Sequence, residues 1–156
     1  MKNTFVILLY KLFELKIYLE EFYENLSLSE TVKDNYALKN TARILASEEK
    51  KHLDFYRQCV KKSELGEEYI IEENIMSQVE FNLINLKQTA GSYGIWTSGQ
   101  LIAKAIDNQN KLLFLITRIK EMLKPDLDSL MEEIINALLL EEQKHLNNLL
   151  PFRKLT

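Results

Sequence analysis

Both histidines of this 156-residue chain stand three positions after a glutamate, in Glu49-x-x-His52 and Glu142-x-x-His145. On an α-helix, residues three apart project from one face about a turn apart, so each pair can grip one ion from one side. Imidazole and carboxylate donors together suit a divalent metal ion. The two motifs belong to a wider repeat: residues 48–53 and 141–146 match at five of six positions with a constant offset of 93. One Glu-x-x-His on a helix is weak evidence, because Glu and His are common on solvated faces. Two copies, related by a repeat and both on apolar stripes, are much stronger. The competing reading is a buried Glu-His hydrogen-bonded pair in each half, which needs no ion.

These residues must be carried by long helices, and the composition permits them. Gly (4) and Pro (2) are scarce, so helices can run uninterrupted. From Phe5 to Leu26 the apolar residues Leu8, Leu12, Leu15, Leu19, Phe22 and Leu26 alternate steps of four and three, predicting a first helix with one buried face. Ser27 to Thr31 supplies a polar turn. A second helix follows with Leu38, Ala42, Leu45, Glu49, His52, Tyr56 and Cys59 on one stripe. Residues 63–97 read as a long crossover containing a helix, with Tyr69, Ile70, Met76, Val79, Leu83 and Leu86 as its apolar residues. Gly91, Gly94 and Gly99 lack the lysine and strand context of a phosphate loop and mark a corner instead.

A further helix is predicted from Thr97 or Ser98, with Ile102, Ala105, Gln109, Leu112, Ile116, Ile119 and Leu123 inward, ending before Pro125. The last carries Leu127, Met131, Ile134, Leu138, Glu142, His145 and Leu149. The expectation is therefore one all-α domain over 1–156, a four-helix bundle of two helical hairpins (1–62 and 98–156) joined by the crossover 63–97. On these helices both Glu-x-x-His pairs point with the apolar stripe into the core, where unpaired carboxylates are costly and something must compensate them.

Charge and cysteine usage exclude other classes. The net charge of -3 comes from 20 basic and 23 acidic residues spread along the chain, without the basic stripe that nucleic acid requires. The apolar run from Phe5 to Tyr10 is too short for a membrane span. Cys59 stands alone, which excludes an internal disulfide, a Cys-x-x-Cys zinc or rubredoxin site and a cysteine-held cluster, and suits a reducing, cytoplasmic compartment.

The helical order and the duplicated Glu-x-x-His resemble the rubrerythrin and ferritin-like di-iron carboxylate superfamily, over nearly the whole chain outside the crossover. That resemblance implies a ferritin-like fold and makes Glu49, His52, Glu142 and His145 metal ligands. It also implies one further glutamate from the first and one from the third bundle helix. In such proteins the first of these commonly lies seven residues before a Tyr that follows Phe. Phe22-Tyr23 looks like that pair, which puts the ligand position on Lys16, and the offset of 93 puts its counterpart on Gln109. Both expected carboxylates are thus replaced. Glu14 and Asp107 are related by the same offset but point off the apolar stripes, and Glu20 lies one turn beyond Lys16. The crossover acids Glu67, Glu68, Glu72, Glu73 and Glu80 read as a solvated face, although rubrerythrins can recruit a glutamate from this region.

Charge counting limits what the resemblance can mean here. Two divalent ions bring four positive charges, while Glu49 and Glu142 return two negative ones and a protonated Lys16 adds a further positive charge. One ion, or none with Lys16 paired to Glu49 or Glu142, is expected ahead of a full di-metal centre. Tyr23 and Tyr56 read as packed, hydrogen-bonded core tyrosines ahead of a radical or proton role, and Trp96 as a packing anchor. Two functions follow from the resemblance. The first is a rubrerythrin-like oxidoreductase using iron or manganese against peroxide or oxygen, with an external electron donor. The second is a metal-free ferritin-like module that binds a protein or small ligand. An iron-storage subunit ranks below both, and a homo-oligomer stays open.

Overall fold

A computed structural model of the chain describes residues 2–91 and 97–155. Trp96 and Gly94 lie outside the described residues. Among the described residues the protein is all-helical, with five α-helices: α1 (Phe5–Leu28), α2 (Tyr36–Glu64), α3 (Glu73–Ala90), α4 (Ser98–Leu123) and α5 (Ser129–Leu149). Short 3-10 turns at Glu30–Val32, Lys124–Asp126 and Leu150–Leu155 follow α1, α4 and α5. The only extended pairing among the described residues is a single bridge between Thr4 and Ile70. Among the described residues no helix is long and apolar enough to cross a membrane.

Four of the helix starts are set by side chains that accept the otherwise unpaired first-turn N–H groups. Thr4 accepts from Ile7 N, Asn35 from Leu38 N and Asp128 from Met131 N. Thr97 and Gln100 cap one another reciprocally at the start of α4, a capping box at the position read from the sequence. At its other end α4 stops at Leu123, two residues before Pro125.

α1 and α2 share the most extensive helix–helix interface, followed by α4 and α5, while α3 lies against α1 and α4. The buried stripe of α2 contains all seven residues expected on it, and that of α4 does likewise. In α5 the stripe from Met131 to Leu149 is buried as read, whereas Leu127 precedes the helix and is half-buried. Each fully buried leucine in these stripes is worth roughly 1.5–3 kcal/mol relative to exposure.

One sequence reading is corrected. At the C-terminal end of α1 the buried residues are Tyr23 and Ser27, not Phe22 and Leu26. Steps of four from Leu15 through Leu19 to Tyr23 carry the buried line round the helix toward α4, where Asn108 donates to the Tyr23 hydroxyl at 3.4 Å. Phe22 is left against the corner at Gly91, where a Cβ would sit 2.9 Å from its ring, so the glycine is required by close approach. In the crossover Ile70 is exposed and Ile71 is buried. The backbone pairing of this segment with the start of α1 decides it: Ile71 N donates to Asn3 O and Phe5 N to Tyr69 O, which turns Ile71 inward.

Candidate metal centre

Near their midpoints α1, α2, α4 and α5 bring one polar cluster together inside the apolar core. Glu49 and His52 come from α2, Glu142 and His145 from α5, Lys16 from α1 and Gln109 from α4. All six are buried, and Lys16 and Glu142 have no exposed surface at all. The local reason is the register of each stripe: every one of these residues replaces a Leu, Ile or Ala in the heptad-like spacing of its own helix.

Glu142 is the hub. Tyr56 donates to its Oε1 at 2.7 Å, the Lys16 ammonium lies 3.2 Å from the same oxygen and 3.4 Å from Oε2, and the Gln109 amide donates both to Oε2 and to the Glu142 backbone carbonyl. Glu49 meets Lys16 more closely, with Oε2 2.6 Å from Nζ. One ammonium therefore bridges the two repeat-related carboxylates. It stands at the position where the resemblance implied a third carboxylate, and Gln109 serves as a hydrogen-bond donor where a fourth was implied.

Electrostatics follow from this asymmetry. Burial opposes the charge on Glu142, but the Lys16 ammonium and the donors from Gln109 and Tyr56 outweigh it and hold the carboxyl below the usual carboxylate range. Glu49 has fewer donors, so burial, aided by the neighbouring Glu142 charge, pushes it up despite Lys16. Burial also disfavours charge on Lys16, yet the pull of Glu142 and then Glu49 raises it, so it stays protonated. Tyr56 and Tyr23 are both pushed up by burial and the nearby carboxylates, which keeps them as neutral donors and acceptors.

The imidazoles are less well served. The two rings stand 4.5 Å apart, centroid to centroid. His52 Nδ1 is 3.9 Å from Glu142 Oε1, and His145 Nδ1 is 3.7 Å from Glu49 Oε1 and 4.0 Å from Glu142 Oε2, all beyond hydrogen-bond reach. His52 Nδ1 and both nitrogens of His145 are buried without a hydrogen-bond partner. Burial, with Lys16 and His52 nearby, lowers His145 from its ordinary 6.5 to about 3, so its ring is neutral with a lone pair available. His52, Glu142 and His145 each place one donor atom within 4.8 Å of the others, and this group could hold a metal ion.

The neutral His145 ring and the unpartnered His52 Nδ1, beside an ionised carboxylate, fit a single divalent ion. They do not fit two, because Lys16 and Gln109 supply donors and a positive charge where a second ion needs carboxylates.

The other acids singled out from the sequence lie elsewhere. Glu14 is exposed, and Asp107 is exposed and paired with Lys111 at 3.0 Å. Glu20 is half-buried beside Glu24 and Lys50, and its carboxyl is raised by burial and by Glu24. Glu67, Glu68, Glu72 and Glu73 are exposed, and Glu80 pairs with Lys11 at 3.0 Å. Cys59 is a free buried thiol, pushed up to about 11 by burial. Asn108 is a buried polar residue that sequence reasoning did not single out; its neighbour Gln109 on the same inward face was the only signal.

Compared with protein-family models, curated proteins and solved structures, the chain matches none, so its function has to be argued from this site.

Proposed function

We propose that the protein is a ferritin-like, rubrerythrin-like bundle, with α1–α2 and α4–α5 as its two hairpins and the α3 segment as the crossover, and that its centre binds one divalent metal ion. His52, Glu142 and His145 hold the ion, with Glu49 as the carboxylate next to hand. The observation that carries this reading is the set of buried imidazole nitrogens left unpartnered beside an ionised carboxylate. Iron or manganese in such a site supplies one-electron chemistry toward peroxide or oxygen, which makes the protein an oxidoreductase served by an external electron donor.

The chain's own residues have definable parts in that reading. Gln109 and Tyr56 fix the orientation of the Glu142 carboxylate, and the apolar shell around them keeps bulk water out. Lys16 supplies a positive charge in the place of a second ion and sets the stoichiometry at one.

The Lys16 contacts favour a second reading, in which the ammonium alone neutralises the carboxylates and the protein is a metal-free module for protein or ligand binding. Elemental analysis of protein purified without added metal, followed by calorimetric titration with manganese, separates the two. About one ion per chain, lost in His52→Ala and His145→Ala, supports the metal site. A folded protein that takes up no ion under any loading condition overturns it in favour of the second reading. Peroxide consumption by the loaded protein with a chemical reductant then tests the oxidoreductase activity.

A further inference from the structure

The Lys16 ammonium and the Glu49 carboxyl meet unusually closely for two groups shut in a core. Nζ is 2.6 Å from Oε2, with the two side chains 0% and 4% exposed. The contact lacks hydrogen-bond geometry, since Oε2 is buried without a hydrogen-bond partner. Adding a C–O length of about 1.2 Å puts Nζ under about 4 Å from the Glu49 carboxyl carbon, near the roughly 3–3.5 Å of a near-attack arrangement.

A second carboxylate serves the same nitrogen. Glu142 Oε1 is 3.2 Å from Nζ, and its other partners hold it in place: Tyr56 donates to Oε1 at 2.7 Å and Gln109 donates to Oε2. An amine, a carboxyl and a fixed carboxylate able to carry a proton between them are the groups that amide formation needs. The apolar shell around them keeps out the water that would reverse it. A buried ion pair also carries a desolvation cost that a neutral amide of the same atoms escapes.

We propose that Lys16 and Glu49 condense to an isopeptide bond that ties α1 to α2. The Lys16 ammonium gives one proton to Glu142 Oε1, and the freed lone pair on Nζ forms a bond to Glu49 Cδ. A C–O bond at Cδ breaks, and the departing oxygen takes the proton held by Glu142 and a second one from Nζ. Ammonium plus carboxylate thus become amide plus water. Glu142 ends as it began, and no oxidant or reductant is needed.

The bond acts on the unfolded chain as a disulfide does, by closing the loop between residues 16 and 49. Cys59 is the chain's only cysteine, so no internal disulfide can do this. Condensation consumes the Glu49 carboxylate but leaves His52, Glu142 and His145 as they are, so the link stands apart from the metal reading.

The test is the intact mass of the full chain, purified folded and then unfolded in acid, which separates an ion pair and leaves an amide whole. A mass lower than the sequence requires by one water is expected, with a tryptic fragment that joins the α1 segment at Lys16 to the α2 segment at Glu49. Lys16→Met and Glu49→Leu should each keep their full mass. Glu142→Gln retains the oxygen beside Nζ but cannot carry the proton, and should cross-link about a hundredfold more slowly than the parent. A parent chain at full mass, a water loss mapped to any other pair of residues, or cross-linking of Glu142→Gln at the parent's rate would each overturn the proposal. The first two readings need no variant to fold.

Discussion

Replacing Lys16 by Met removes one positive charge from the centre of the core and leaves a side chain of similar length. In the parent the ammonium has no exposed surface and sits 2.6 Å from Glu49 and 3.2 Å from Glu142. Breaking a buried ion pair by deleting one partner costs about 3–5 kcal/mol, because the remaining charge is stranded in low dielectric. For a chain of this length that corresponds to a fall in melting temperature on the order of 10 °C without metal. The carboxylates left behind should then titrate above their unfolded values. Stability of the variant should therefore rise as pH falls through that raised range, where the native state takes up more protons than the unfolded one.

Toward a divalent ion the sign reverses. With Lys16 gone, Glu49 and Glu142 balance the two charges of one ion, and relief of a repulsion of at least about 4 kcal/mol at an effective dielectric of 20 should tighten binding by roughly a thousandfold. Added metal at a hundred times its dissociation constant should restore about 2.7 kcal/mol of stability. Thermal unfolding with chelator and with graded manganese measures both effects. A folded Lys16→Met protein as stable as the parent in chelator would refute the electrostatic reasoning, and one that binds manganese no better than the parent would refute the competition between ammonium and ion.

Changing both Lys16 and Gln109 to Glu should convert the centre to two ions per chain, at the expense of the metal-free form; an unchanged metal stoichiometry in a folded variant would show that these are not the missing ligand positions. Tyr56→Phe removes the 2.7 Å donor to Glu142 and should destabilise the protein by about 1–3 kcal/mol, read from denaturant unfolding. Acid should destabilise the metal-free protein as pH falls from 6.5 toward about 3, because the unfolded chain protonates His145 where the native one does not. The full effect is on the order of 4 kcal/mol, measured by unfolding across that range and reduced in His145→Phe. Lys16, raised by its carboxylates, contributes in the opposite direction: its stabilisation is complete below its ordinary 10.5 and is lost as pH climbs through its higher native value.

Much of this protein is written locally. The stripes of α2, α4 and α5, the Thr97 cap, the stop before Pro125 and the inward placement of both Glu-x-x-His pairs all follow from period and punctuation, since a helix buries whichever face is apolar whatever it packs against. The resemblance carried by Phe22-Tyr23 pointed to Lys16 as a position at the centre, and the repeat offset then pointed to Gln109, before any packing was known. What one helix meets on another is a different matter. Only the assembled fold decided that Lys16 bridges both carboxylates, that Gln109 grips Glu142 and leaves Glu49 to the ammonium alone, and that the end of α1 turns Tyr23 toward Asn108 instead of burying Phe22. The same holds for the second half of the repeat, where Leu149 stands at the position of Tyr56 and brings no hydroxyl to the centre. Periodicity specifies a direction about one axis, while the distances and unfilled volume between four axes depend on all of their side chains at once.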